Sequence, residues 1–165
     1  MPRVYLGLGS NQHPESNLRL CARELSRRFA LDAVSSVYRN RALGFDGDDF
    51  LNAVACIETS ESAARIADEL DEIHGLAGRE RGPSAFVSRT LDIDLLLYGD
   101  EIIPERDVPR ADVLEYSFVL RPLAELAPEL RHPQTGRTMA EHWADFDQSA
   151  HPLEKIDLIL SNSGG

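Results

Sequence analysis

Three scarcities bound what this chain of 165 residues can be. Cysteine occurs twice, as Cys21 and Cys56, each among apolar neighbours and without metal-ligand spacing. That argues against a disulfide framework or a cysteine zinc site and leaves reduced core thiols. Basic charge is short: 17 Lys and Arg stand against 28 Asp and Glu, for a net charge of -11 and a pI near 4.8. A general nucleic-acid surface needs a dense field of cations to neutralise phosphates, so no nucleic-acid partner is expected, although a local basic pocket remains compatible with the balance. Long apolar runs are missing as well. The N-terminal run from Val4 to Leu8 is interrupted by Gly7 and lacks the hydrophobic region and cleavage site of a signal peptide, and no stretch approaches membrane-spanning length. The expectation is a cytoplasmic protein with no membrane partner and no obligate protein partner.

What is present suffices for one core. With 42% hydrophobic residues, the length suits one domain, read as residues 1–156, with 157–165, ending Ser-Asn-Ser-Gly-Gly, expected as a flexible tail. Val4 to Leu8 reads as a buried strand, broken into a turn by Gly9, Ser10 and Asn11 before Pro14 opens a helix. Leu18, Ala22, Leu25 and Phe29 recur at the spacing of one helix face, with Arg19, Arg23, Arg27 and Arg28 elsewhere. Residues 33–39 and Phe50 to Thr59 read as antiparallel strands, and Ser60 as the cap of a helix with Ile66, Leu70 and Ile73 on its apolar stripe. A basic segment from Arg79 to Arg89 leads into a strand from Leu91 to Tyr98. The order strand, helix, strand, strand, helix, strand fits a ferredoxin-like α+β sandwich, a mainly antiparallel sheet with helices packed on it. Farther on, Thr138 and Glu141 form a capping box for a helix bearing Trp143 and Phe146.

The last of those strands carries the sharpest chemistry. Asp92 and Asp94 stand two apart, so the period of a strand puts both carboxylates on one face and leaves Leu91, Ile93, Leu95 and Leu97 for the other. Two close carboxylates repel unless a cation sits between them, and hard oxygen ligands suit magnesium. Taken alone, the pair reads equally well as a solvated face neutralised by Arg89. Arg79, Arg81 and Arg89 bracket a segment with Gly82 and Pro83 that can move as a lid and present forked donors to phosphate, which with the acids makes a coherent phosphoryl-transfer set. Phe50 and Asn52 share a strand face, an aromatic ring beside an amide, as the edge of a flat heteroaromatic ring would require.

With these residues in view, most of the chain resembles the 6-hydroxymethyl-7,8-dihydropterin pyrophosphokinase family. The resemblance rests on Gly9-Ser10-Asn11, on Leu43-Gly44 followed by Phe50-Leu51-Asn52-Ala53, on Gly78-Arg79-x-Arg81, and on Arg89-Thr90-Leu91-Asp92-Ile93-Asp94. Phe118-Val119-Leu120-x-Pro122-Leu123-x-Glu125-Leu126-Ala127-Pro128 completes it. It implies a ferredoxin-like fold and an enzyme of folate synthesis that transfers pyrophosphate from ATP, the cosubstrate, to the pterin, releasing AMP. It implies two magnesium ions on Asp92 and Asp94, and catalytic roles for these acids with Arg79 and Arg89. The pterin positions are Phe50, Asn52 and Phe118, with backbone groups near Leu43. For the nucleotide the resemblance implies Arg79, Arg81, Arg89 and Ile93; Arg110 and Tyr116, which depart from the pattern, are expected at the same ligand, with Arg110 restoring the positive charge that Tyr116 does not supply.

Four positions depart from the family pattern. His74 stands where Glu is usual, Phe86 where a Trp is typical, Arg110 in place of a His after Val-Pro, and Tyr116 near the usual place of another Arg. His74 reads as a partly exposed helix residue, and His13, His132, His142 and His151 as surface residues. The departures motivate an alternative, a paralogue that binds a pterin or nucleotide with altered or lost transfer. An RNA-binding module of the same element order is a second alternative; it fits poorly, because such modules stack bases on exposed sheet aromatics in a basic setting.

Overall fold

In the computed structural model, residues 1–40, 49–77, 91–149 and 152–160 are described. The elements in chain order are β1 (Arg3–Ser10), α1 (Pro14–Arg28), β2 (Ala30–Val34), β3 (Val37–Asn40), β4 (Phe50–Glu58), α2 (Ala63–Leu76) and β5 (Asp92–Tyr98). After these come α3 (Asp112–Glu115), α4 (Ser117–Leu126), α5 (Met139–Asp145) and β6 (Glu154–Ile156). The strands make one antiparallel sheet in the order β5-β1-β4-β3-β6, with β2 also paired to β4. This is the expected α+β, ferredoxin-like arrangement.

The strand expected at residues 33–39 is divided in two. At the division, Ser35 donates its N–H to the Val54 carbonyl, and its hydroxyl accepts the Val54 N–H, each at 2.9 Å. A serine can meet β4 with backbone and side chain at once, which lets the strand break without orphaning a buried donor. The second helix is capped by Ser62, whose side chain accepts the Arg65 N–H, and not by Ser60. Just upstream the Thr59 hydroxyl accepts the Glu61 N–H, closing a local turn that delays the helix. The capping box of Thr138 and Glu141 is complete.

Each face of the sheet has its own core. On one, Val4, Leu6, Leu8, Ala53, Ala55 and Ile57 meet Leu18, Cys21 and Leu25 of α1 and Ile66, Leu70 and Ile73 of α2. On the other, Tyr5, Val54, Cys56, Leu96 and Leu97 meet Leu120 and Leu123 of α4 and Met139 of α5. Fully burying a leucine contributes roughly 1.5 to 3 kcal/mol, enough for the Leu120 and Leu123 pair to hold α4 in place despite Pro122 within it. The alternation expected for β5 holds only as far as Leu95. Tyr5 pairs with Leu97 and Leu6 with Leu95, so Leu96 is an extra residue, and beyond this bulge Leu97 joins the second core instead of the first. The core also reaches beyond residue 156. Leu158 and Leu160 are buried against the α1 face, so the packed chain continues to residue 160.

Candidate active site

Where α4 leaves the second face of the sheet uncovered, a cleft of about 280 Å³ opens. Its floor exists because two residues of β1 lack side chains. A Cβ on Gly7 would meet the Leu96 side chain at 3.4 Å, and one on Gly9 would come within 2.9 Å of Asn52 Oδ1, closer than real Cβ contacts. The expected turn at Gly9 and Ser10 is therefore strand: β1 pairs with Leu51 as far as Ser10, and Gly9 serves as floor.

Strand register then sets the walls. Gly9 lies opposite Asn52 of β4 on one side and Asp92 of β5 on the other, while Gly7 lies opposite Asp94. An amide and two carboxylates thus stand about one strand spacing to either side of a bare glycine, on one face. Asn52 donates through Nδ2 to Asn40 Oδ1, and both are buried. Phe50, Tyr116, Phe118 and Asp112 complete the lining. The rings of Tyr116 and Phe118 stack with centroids 4.9 Å apart and planes 19° from parallel, within the range of a favourable offset pair. At the rim, Arg110 is 3.9 Å from Asp94 Oδ1, 3.9 Å from Asp107 Oδ2 and 3.3 Å from Asp112 Oδ2.

Six residues expected at the site therefore share one cleft: Asp92, Asp94, Phe50, Asn52, Tyr116 and Phe118. Arg110 adjoins it. Ile93 does not line it: its side chain is buried in the first core, and its N–H donates to His74 Nε2 at 3.0 Å. Leu43, Arg79, Arg81, Phe86 and Arg89 lie outside the described residues. His74, expected to be partly exposed, is buried at 9% exposure because its ring accepts that strand N–H. His132, expected at the surface, is buried at 3% exposure, its Nδ1 accepting the Gln134 N–H. Sequence reasoning passed over Gly7, Gly9, Asn40 and Asp112 as lining residues. Asn40 sits one residue past the expected strand, and only cross-strand register reveals the glycines as floor.

An α+β sandwich whose open sheet face sets paired carboxylates beside an amide and stacked aromatics is suited to an enzyme that brings a phosphorylated ligand against a flat ring. Residues 5–128 match the model of the family described as 7,8-dihydro-6-hydroxymethylpterin-pyrophosphokinase, and the chain belongs to that family. It is 40% identical to the 2-amino-4-hydroxy-6-hydroxymethyldihydropteridine pyrophosphokinase of Pseudomonas aeruginosa, the match covering 95% of this chain and 96% of that protein. To the enzyme of the same name from Haemophilus influenzae it is 38% identical, over 82% of this chain and 88% of the other. Among solved structures, the Plasmodium falciparum HPPK-DHPS wild type with pterin and p-hydroxybenzoate superposes with a TM-score of 0.67 at 13% identity, covering 87% of this chain. This chain spans 42% of that longer one, and the likeness speaks to fold alone.

Proposed function

We propose that this cleft carries out its family's reaction, transfer of pyrophosphate from ATP to 6-hydroxymethyl-7,8-dihydropterin, with the pterin on the Asn52 side of Gly9 and the triphosphate on the Asp92 and Asp94 side. The register of those residues about Gly9 is the observation that carries the assignment. The pterin hydroxymethyl oxygen releases its proton to solvent and bonds to the β-phosphorus, the bond from that phosphorus to the oxygen bridging to the α-phosphorus breaks, and AMP leaves.

Two ligands held on either side of Gly9 need little chemistry from the protein beyond position and charge. Asn52 offers a donor and an acceptor to the polar edge of the pterin, and Asn40 restrains its amide. Phe118, backed by Tyr116, supplies one aromatic wall, and Phe50 a second. Magnesium suits the acids present. Among the described residues no group of three or more His, Cys, Asp and Glu forms a protein cage, whereas magnesium characteristically takes one or two carboxylates together with substrate phosphates and water. Asp92 and Asp94 would hold two such ions, which supply charge neutralisation along the triphosphate. Arg79, Arg81, Arg89 and Arg110 are the proposed phosphate contacts, backbone groups near Leu43 a proposed further contact to the pterin, and Tyr116 a neutral hydrogen-bond donor to the nucleotide.

Incubation with ATP, magnesium and the dihydropterin should yield AMP and pterin pyrophosphate in equal amounts. Replacing Asp92 or Asp94 with Asn should lower turnover at least about 100-fold, the scale of losing a major electrostatic group, with the circular dichroism unchanged. ADP as the product, or near-normal turnover in both variants, would refute the reading.

A further inference from the structure

Between the two acids of β5 lies a backbone donor that the sheet does not use. Among the described residues β5 is the edge strand, with β1 its only strand neighbour. The Ile93 N–H points away from that neighbour and donates to His74 Nε2 at 3.0 Å. For Nε2 to accept, the ring proton must sit on Nδ1, which stands 3.6 Å from Asp71 Oδ1 one turn back along α2. The imidazole is buried, so the contact is closed to competing water.

We propose that His74 is a positioning residue of the active site. By accepting the Ile93 N–H it fixes the β5 backbone midway between Asp92 and Asp94, setting the separation and aim of the two carboxylates before any ligand arrives. The geometry makes this effective. The Ile93 side chain is anchored in the same core as Leu8 and Ile73, while the flanking acids project to the opposite face. A small rotation of the central peptide therefore swings both carboxylates. An edge N–H without a partner would draw water and permit that rotation, whereas a ring carried on a packed helix does not. Partners behind a ligating group act in this way, by orienting the group that touches the ion.

The proposal rests on the metal reading of Asp92 and Asp94, and its test separates the two. His74→Leu removes the acceptor at similar volume; His74→Gln returns an acceptor, Oε1, at the distance of Nε2 from Cβ. Amide exchange at Ile93, followed by NMR in the metal-free protein, should quicken at least about tenfold in the Leu variant and stay within threefold of the parent in the Gln variant. Manganese binding, titrated with α,β-methylene ATP present, should weaken by about tenfold in the Leu variant and recover in the Gln variant, with pterin affinity within twofold throughout. Faster Ile93 exchange with unchanged manganese affinity would overturn the positioning role. So would equal weakening in both variants accompanied by a lowered melting temperature, which marks a merely structural residue. If the parent protein itself bound no manganese, the metal reading would fall, whatever His74 does to the exchange of Ile93.

Discussion

The guanidinium of Arg110 rests 3.9 Å from the Oδ1 of Asp94, one of the two acids assigned to the metal. Both side chains are about one third exposed, so the pair contributes at most about 1 kcal/mol. A charge-assisted bond to phosphate is worth roughly 1.5 to 3 kcal/mol, so on the proposed function a triphosphate entering the cleft would outcompete Asp94 for this arginine. Asp107 and Asp112 also flank the guanidinium and would keep it at the rim during such an exchange.

Removing Arg110 should accordingly have opposite effects on nucleotide and metal. Arg110→Ala should raise the dissociation constant for magnesium-ATP at least about tenfold, or ~1.4 kcal/mol, by deleting a phosphate donor. Without nucleotide, magnesium should bind no more weakly than to the parent, because Asp94 loses a competing cation. Calorimetric titrations of the two ligands check this, and unchanged ATP affinity would reject a phosphate role for Arg110.

How much of this was legible in the sequence depended on whether a feature is local. The α1 stripe of Leu18, Ala22 and Leu25, the Thr138 and Glu141 box and the shared face of Asp92 and Asp94 follow from helix or strand period alone, and the fold bears them out. The bulge at Leu96 exists only relative to β1, so no pattern within β5 announces it. Gly9 reads locally as a turn residue, yet it is a strand residue whose missing Cβ makes room for Asn52, a partner more than forty positions away. His74 carries no helical signal of its contact, because its partner is a backbone N–H on β5, 19 residues further along the chain, and not a side chain at helical spacing.

That close approach at Gly9 is itself testable. Gly9→Ala would set a Cβ 2.9 Å from Asn52 Oδ1, so the amide must shift while Asn40 holds its other end. Pterin affinity should fall by about tenfold or more, which corresponds to losing about one good polar contact. Gly7→Ala should be milder, since its Cβ meets the Leu96 side chain at 3.4 Å. Equilibrium binding of the dihydropterin to both variants decides the matter, and equal or absent losses would sink the role assigned to the floor.

Stability should also depend on pH through two histidines at the junction after α4. The rings of His132 and His142 meet edge to face, with centroids 6.0 Å apart. Burial holds the proton affinity of His132 below its ordinary value of 6.5, and the neighbouring His142 adds to the effect. His142 is likewise held low, first by burial and then by Arg137, with Asp145 and Glu141 partly opposing. In the interval between these lowered values and 6.5, the unfolded chain binds more protons than the folded one, so stability rises with pH. The contribution is complete above about 6.5 and is lost as pH falls through the folded values, with a slope of at most about 1.4 kcal/mol per pH unit for each group. Glu24, Glu125 and Glu141 are also held low, but their losses belong to the carboxylate range below 4.5. The melting temperature should therefore begin to fall as pH drops below about 6.5, well before the carboxylates contribute. His132→Asn retains an acceptor near the place of Nδ1 for the Gln134 N–H, so it should keep the fold while flattening this part of the profile. If the variant and the parent lost stability identically between pH 6.5 and 5, another group would have to be responsible.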